Sequence, residues 1–168
     1  MWEFPTSTCE SISPTMPYQP WSALANLMII AMLLTRKRTV LVLSTIWFEL
    51  IHLYCHITLS SGLTLLQHVS VYPILLSYLR VPHSAYPVIL LDMFVALHFG
   101  GIWQIFSGLL VLLSCKPPDK MVVYGALAVI GLLVNEYLHC ERMVRWLDFP
   151  YHVLLELSGM FVFYHMTQ

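Results

Sequence analysis

The chain has 168 residues, of which 58% are hydrophobic and only 10% charged, and its mean hydropathy is +0.74. A water-facing domain carries about 25% charged residues, so this composition excludes an ordinary soluble enzyme, a nucleic-acid binder and a disordered tail. The formal net charge of −1 points to no particular partner.

Residues 1–20 hold no Lys or Arg and no apolar h-region, which predicts a short polar lead rather than a cleavable signal peptide. Residues 21–168 read as one transmembrane domain of six apolar runs: Trp21–Leu34, Val40–Leu59, Leu63–Leu79, Tyr86–Leu113, Met121–Leu138 and Phe149–Met166. A bilayer span takes about 20 residues, within a range of about 17–25. Four runs fit that window, and the first does too once Tyr18, Gln19 and Pro20 are included. The fourth is longer, and reads either as one tilted helix or as two short arms hinged at Gly100-Gly101. The predicted fold is all-α: a polytopic helical membrane bundle of six to seven transmembrane helices.

All eight Lys and Arg (Arg36, Lys37, Arg38, Arg80, Lys116, Lys120, Arg142 and Arg145) fall between the runs. Arg36-Lys37-Arg38 is the densest basic loop and is expected on the cytoplasmic side, with the N-terminus lumenal or extracellular. Cys9, Cys55, Cys115 and Cys140 are scattered, giving neither a disulfide framework nor a CxxC knuckle.

Ionisable side chains inside hydrocarbon are costly and mark functional sites. Here they are Glu49, His52, His56, His68, Asp92, His98, Glu136, His152 and Glu156. Two sets share a helical face: Glu49, His52 and His56 at i, i+3 and i+7, and Asp148, His152 and Glu156 at i, i+4 and i+8. Two such faces that meet can supply three N/O ligands to a zinc ion and leave a fourth position for water. Other readings stay open. Asp148 before Phe149-Pro150 also suits a helix N-cap, and His52 and His56 also suit hydrogen bonding between helices. For His68, His98 and Glu136 no partner stands at helical spacing, so interior hydrogen bonding is the default. Asp92 has no assigned role.

Four stretches resemble the superfamily of alkaline ceramidases, progestin and adipoQ receptors, GPI-anchor-remodelling lipases and myomaker-like proteins. They are Trp21-Ser-Ala-Leu-Ala-Asn-Leu-Met-Ile-Ile30, Tyr54-Cys-His-Ile-Thr-Leu59, Leu65-Leu-Gln-His-Val-Ser-Val-Tyr72, and Asp148-Phe-Pro-Tyr-His-Val-Leu-Leu155 with Phe161-Val-Phe-Tyr164. The resemblance implies seven spans and a buried zinc site held by His56, Asp148 and His152, with Asp148 replacing the first histidine of the family's HxxxH pair. It implies hydrolysis of a ceramide-like or other acyl lipid. Two departures bear on that chemistry. His52 stands where the family has a serine, and Gln67 stands where it has the aspartate that partners the zinc-bound water; Gln67 can orient a water but cannot take its proton. Glu49, one turn from His52, is the candidate replacement.

The resemblance thus implies a zinc-dependent lipid amide hydrolase, with His52, Gln67 and Glu49 around the reacting groups, or a non-enzymatic myomaker-like protein acting through lipid or partner contacts. A third expectation is a small sterol- or lipid-binding protein or isomerase of the endoplasmic reticulum, on the likeness of Trp47-Phe48, Ile51-His-Leu53 and His98…Trp103 to sterol isomerases. The expected location is a multi-pass protein of the endoplasmic reticulum, Golgi or plasma membrane. A shared zinc site also carries a topological demand. His56 ends the second span and His152 begins the last, so they reach equal depth only if Tyr86–Leu113 crosses twice.

Overall fold

The computed structural model describes residues 19–58, 61–79, 81, 83, 86–99, 119–147 and 151–168. Among them the chain forms six α-helices and no strand: α1 (Pro20–Leu34), α2 (Val40–Thr58), α3 (Ser61–Leu79), α4 (Tyr86–Phe99), α5 (Lys120–Leu147) and α6 (His152–Met166). One of them, α2, is long and apolar enough to cross a membrane; α1 is apolar but shorter, at 15 residues. The second half of the run Tyr86–Leu113, and with it the predicted hinge, lies outside the described residues.

Local chemistry sets the helix ends. Pro20 occupies the first turn of α1, where its missing N–H costs nothing. Thr39 opens α2 by accepting the Val42 amide at Oγ1, 3.2 Å away, and Asp119 opens α5 by accepting the Met121 amide at 2.8 Å. The fifth apolar run is expected to end at Leu138, but α5 continues to Leu147. Hydropathy marks where the apolar stretch stops. Helix formers such as Glu141, Arg142 and Met143 keep the backbone ladder going past that point.

Helix α1 packs on α2 and on α6, α2 packs also on α3, and α5 pairs with α6. Small residues on one stripe of α1, Ser22, Ala25 and Asn26, are buried and admit its neighbours closely. Further along the same stripe Ile29 and Leu33 join Val42 in a core cluster, with Ile46 of α2 and Met160 and Phe163 of α6 packed against it. A second cluster of Tyr72, Val81 and Ile89 joins α3 to α4, and Tyr72 Oη donates to Asp92 at 3.2 Å, giving Asp92 a partner that helical spacing did not reveal.

The outward faces are apolar. On α2 the exposed large apolar residues are Val40, Leu43, Trp47, Leu50, Tyr54 and Ile57, with Thr58 exposed at the end, while Thr45, Glu49, His52 and His56 are buried. That pattern inverts the arrangement of a water-facing helix.

Where α5 crosses α6, a Cβ on Gly125 would stand 2.7 Å from Val162 Cγ2 and 3.1 Å from Phe161 Cδ1, whereas Gly131 and Gly159 face open space. Val162 is branched at Cβ and cannot rotate away freely. Gly125→Ala is therefore expected to lower stability by about 1–3 kcal/mol, while Gly131→Ala and Gly159→Ala leave it unchanged or raised; thermal unfolding of the three variants in one detergent checks the contrast.

Candidate metal centre

The two polar helical faces meet at one end of the bundle. His56 and His152 rings stand 5.2 Å apart between centroids, and His52 and His56 rings 4.5 Å apart. One nitrogen from each of His52, His56 and His152 and one Glu156 oxygen all lie within 4.8 Å of one another, and all four residues are buried. These four side chains can hold a metal ion.

The contacts centre on one atom. Glu156 Oε1 is 3.3 Å from His52 Nε2, 3.3 Å from His56 Nε2 and 3.1 Å from His152 Nε2. A tetrahedral ion with N and O ligands at about 2.0–2.2 Å has ligand-to-ligand edges of about 3.3–3.5 Å, so the observed separations are close to those of a ligand shell.

Each ring is anchored on its other nitrogen. His56 Nδ1 bonds Gln19 Oε1, and the Gln19 backbone N–H donates to the His56 backbone carbonyl at 3.0 Å, which ties the start of α1 to the end of α2 twice. His152 Nδ1 lies 2.9 Å from both Glu136 oxygens. His152 Nε2 is buried and stands 3.1 Å from Glu156 Oε1, with a second carboxylate, Glu136, on the other side of the ring. A proton or a metal ion between Nε2 and Oε1 satisfies that pair, and a metal takes Nε2 in its deprotonated form.

Asn26 of α1 completes the centre. Its side-chain amide donates to Glu49 Oε2 at 2.8 Å and to Glu156 Oε2 at 3.0 Å, and stands 3.3 Å from His52 Nδ1.

Of the residues expected from sequence, the structure brings His52, His56 and His152 together and sets Glu49 beside them through Asn26. Asp148 lies outside the described residues. The i, i+4 pair seen in the cluster is His152–Glu156, one turn beyond the expected Asp148–His152. Gln67 is half-buried on α3, where its backbone carbonyl accepts Ser70 Oγ at 2.6 Å. Three contributors escaped the sequence reading. Gln19 fell in the polar lead, Asn26 is uncharged, and Glu136 meets His152 across 16 residues that no helical period spans. The signal for Asn26 was its place on the small-residue stripe of α1, where a lone amide in an apolar span needs a partner.

Compared with protein-family models, with curated proteins and with solved structures, the chain finds no match in any of the three.

Glu136 fixes which nitrogen His152 offers, so Glu136→Leu is expected to weaken metal binding about 10- to 100-fold. Glu136→Gln keeps an acceptor for Nδ1–H and is expected to lose less. Competition titration of both variants against a metal chelator measures the difference.

Proposed function

We propose that this chain is a multi-pass membrane protein that holds zinc at the His/Glu centre and hydrolyses an amide bond in a membrane lipid. The observation that carries the reading is a buried three-histidine, one-glutamate cluster inside a bundle whose outer faces are apolar. Soluble monomers rarely expose contiguous apolar patches beyond a few hundred Å², and the outward faces of α1 and α2 present Trp21, Leu24, Leu27, Met28, Trp47 and Leu50 together. Lipid is the solvent that suits them.

Zinc favours imidazole and carboxylate donors in tetrahedral arrangement; bound there, it would supply Lewis-acid polarisation of an acyl carbonyl and make a water acidic. The chain's own residues do the rest. His56 and His152 offer Nε2 and Glu156 offers Oε1, while Gln19 and Glu136 hold the two rings in place. Glu49 takes the proton-accepting role that the resemblance assigns to the position of Gln67, because its carboxylate is buried within the cluster and linked to Glu156 through Asn26. The substrate is a fatty-acid amide such as a ceramide, reached sideways from the hydrocarbon.

The convergence of His56 and His152 supports seven crossings. At about 1.5 Å per residue, α5 is about 42 Å long and exceeds the hydrocarbon thickness of about 30 Å, but α4, with 14 residues, is about 21 Å and needs bilayer thinning or a continuation beyond Phe99.

Two measurements test the reading. Purified full-length protein is expected to carry about one zinc per chain and to release fatty acid from ceramide, and both are lost in His56→Ala and His152→Ala. A wild-type protein free of zinc, or release that survives both substitutions, refutes it. Single-cysteine variants at Ser84 and Ser114 are expected to react with an impermeant maleimide from the same side of the membrane; labelling from opposite sides removes the double crossing.

A further inference from the structure

The cluster offers four candidate ligands, and the hydrogen bonds on the far side of each ring separate them. A neutral imidazole has one N–H and one lone pair, and whatever faces one nitrogen fixes the state of the other. His56 Nδ1 faces the Gln19 carbonyl oxygen and His152 Nδ1 faces the Glu136 carboxylate, both acceptors. With a metal bound, each of these rings keeps its proton on Nδ1 and offers Nε2 as a lone pair. His52 differs. Its Nδ1 faces the Asn26 amide nitrogen at 3.3 Å, a donor.

The orientation of that amide is not free. The same nitrogen stands 2.8 Å from Glu49 Oε2 and 3.0 Å from Glu156 Oε2. Turned over, the amide would set its oxygen against two carboxylate oxygens, so the pair of glutamates holds the NH2 group toward His52. Both hydrogens of that group are taken by the two glutamates, so an N–H on His52 Nδ1 would face a nitrogen that accepts nothing, whereas an N–H on Nε2 faces Glu156 Oε1 at 3.3 Å. The proton of His52 sits on Nε2, and a protonated nitrogen cannot bind metal.

We infer that Asn26 is a positioning residue that removes His52 from the ligand set, leaving His56, His152 and Glu156 as a three-ligand site with His52 Nε2–H as a hydrogen-bond donor at its edge. The inference rests on the reading of the cluster as a metal centre. Two histidines and one glutamate are a set used by catalytic zinc sites, which keep one position for water or substrate, whereas four protein ligands close the shell. His52 Nε2, 3.3 Å from Glu156 Oε1, is placed to donate to an oxygen bound next to that carboxylate.

The ring protons are directly readable. In full-length protein labelled with 15N-histidine and held in detergent micelles, two-bond 15N–1H correlation spectra of the zinc-loaded form are expected to show Nδ1–H for His56 and His152 and Nε2–H for His52, and the His52 proton is expected on Nε2 without zinc as well. An Nδ1 proton on His52 overturns the inference. Zinc titration gives a second readout: His52→Ala is expected to bind zinc within about tenfold of wild type, while His56→Ala and His152→Ala lose at least about a hundredfold. A loss in His52→Ala equal to that in His56→Ala also overturns it. Asn26→Asp places an acceptor opposite His52 Nδ1 and is expected to move that proton to Nδ1 and to tighten zinc binding at least about tenfold by adding a ligand. An unmoved proton in that variant counts against the inference; if a third carboxylate beside Glu49 and Glu156 prevents folding, the wild-type spectrum decides alone. A wild-type protein that takes up no zinc refutes the metal reading, while the His52 proton still reports on Asn26 independently.

Discussion

Glu156 stands where α1, α2 and α6 meet, with three imidazole nitrogens around one of its oxygens and the Asn26 amide on the other. A carboxylate moved from water into an apolar interior is expensive unless its lone pairs are met by donors or cations. That requirement fixes the relative depth of the three helices. Sliding α6 by one residue would rotate Glu156 about 100° off the shared face and leave Asn26, His52 and His56 without their partner. Apolar contacts such as Ile29 against Val42 tolerate small shifts; the polar centre does not, because an unmet buried donor or acceptor costs about 1–3 kcal/mol each.

The same constraint explains the order of shells around the centre. His56 and His152 point their Nε2 atoms inward because Gln19 and Glu136 occupy their Nδ1 atoms. Gln19 does so from the residue before Pro20, where the chain has not yet begun its helix and its backbone N–H is free to reach the His56 carbonyl. Glu136 does so from the middle of α5, where the neighbouring Asn135 also donates to Tyr151 Oη, just before His152, at 2.9 Å. The apolar faces outside these shells exclude water from the cluster and so strengthen every electrostatic term within it.

The helical class, both ends of α1 and the start of α2 were legible in the sequence, since Thr35-Arg36-Lys37-Arg38-Thr39 breaks the apolar pattern there, whereas α3 begins at Ser61, two residues before its apolar run. So were the two polar faces, because a period of 3.6 places Glu49, His52 and His56 together, and His152 with Glu156. What periodicity cannot give is the partner across the bundle. Glu136 meets His152, Asn26 meets Glu156 and Tyr72 meets Asp92 through tertiary packing, at separations no helical repeat encodes. Uncharged side chains such as Gln19, in the polar lead, and Asn26, in an apolar run, carry no charge to mark them, although they set the geometry of the charged ones.

One feature of the centre bears on how the protein is made. Glu156 follows Asn26 by 130 residues and His56 by 100, so a ribosome delivers the α1–α2 hairpin long before the side chains that complete it. During that interval Asn26, Glu49, His52 and His56 stand on an unfinished face whose donors and acceptors only water can meet. A nascent chain stalled short of α6 keeps that face open, with its amides and imidazoles still waiting for the carboxylate that closes it.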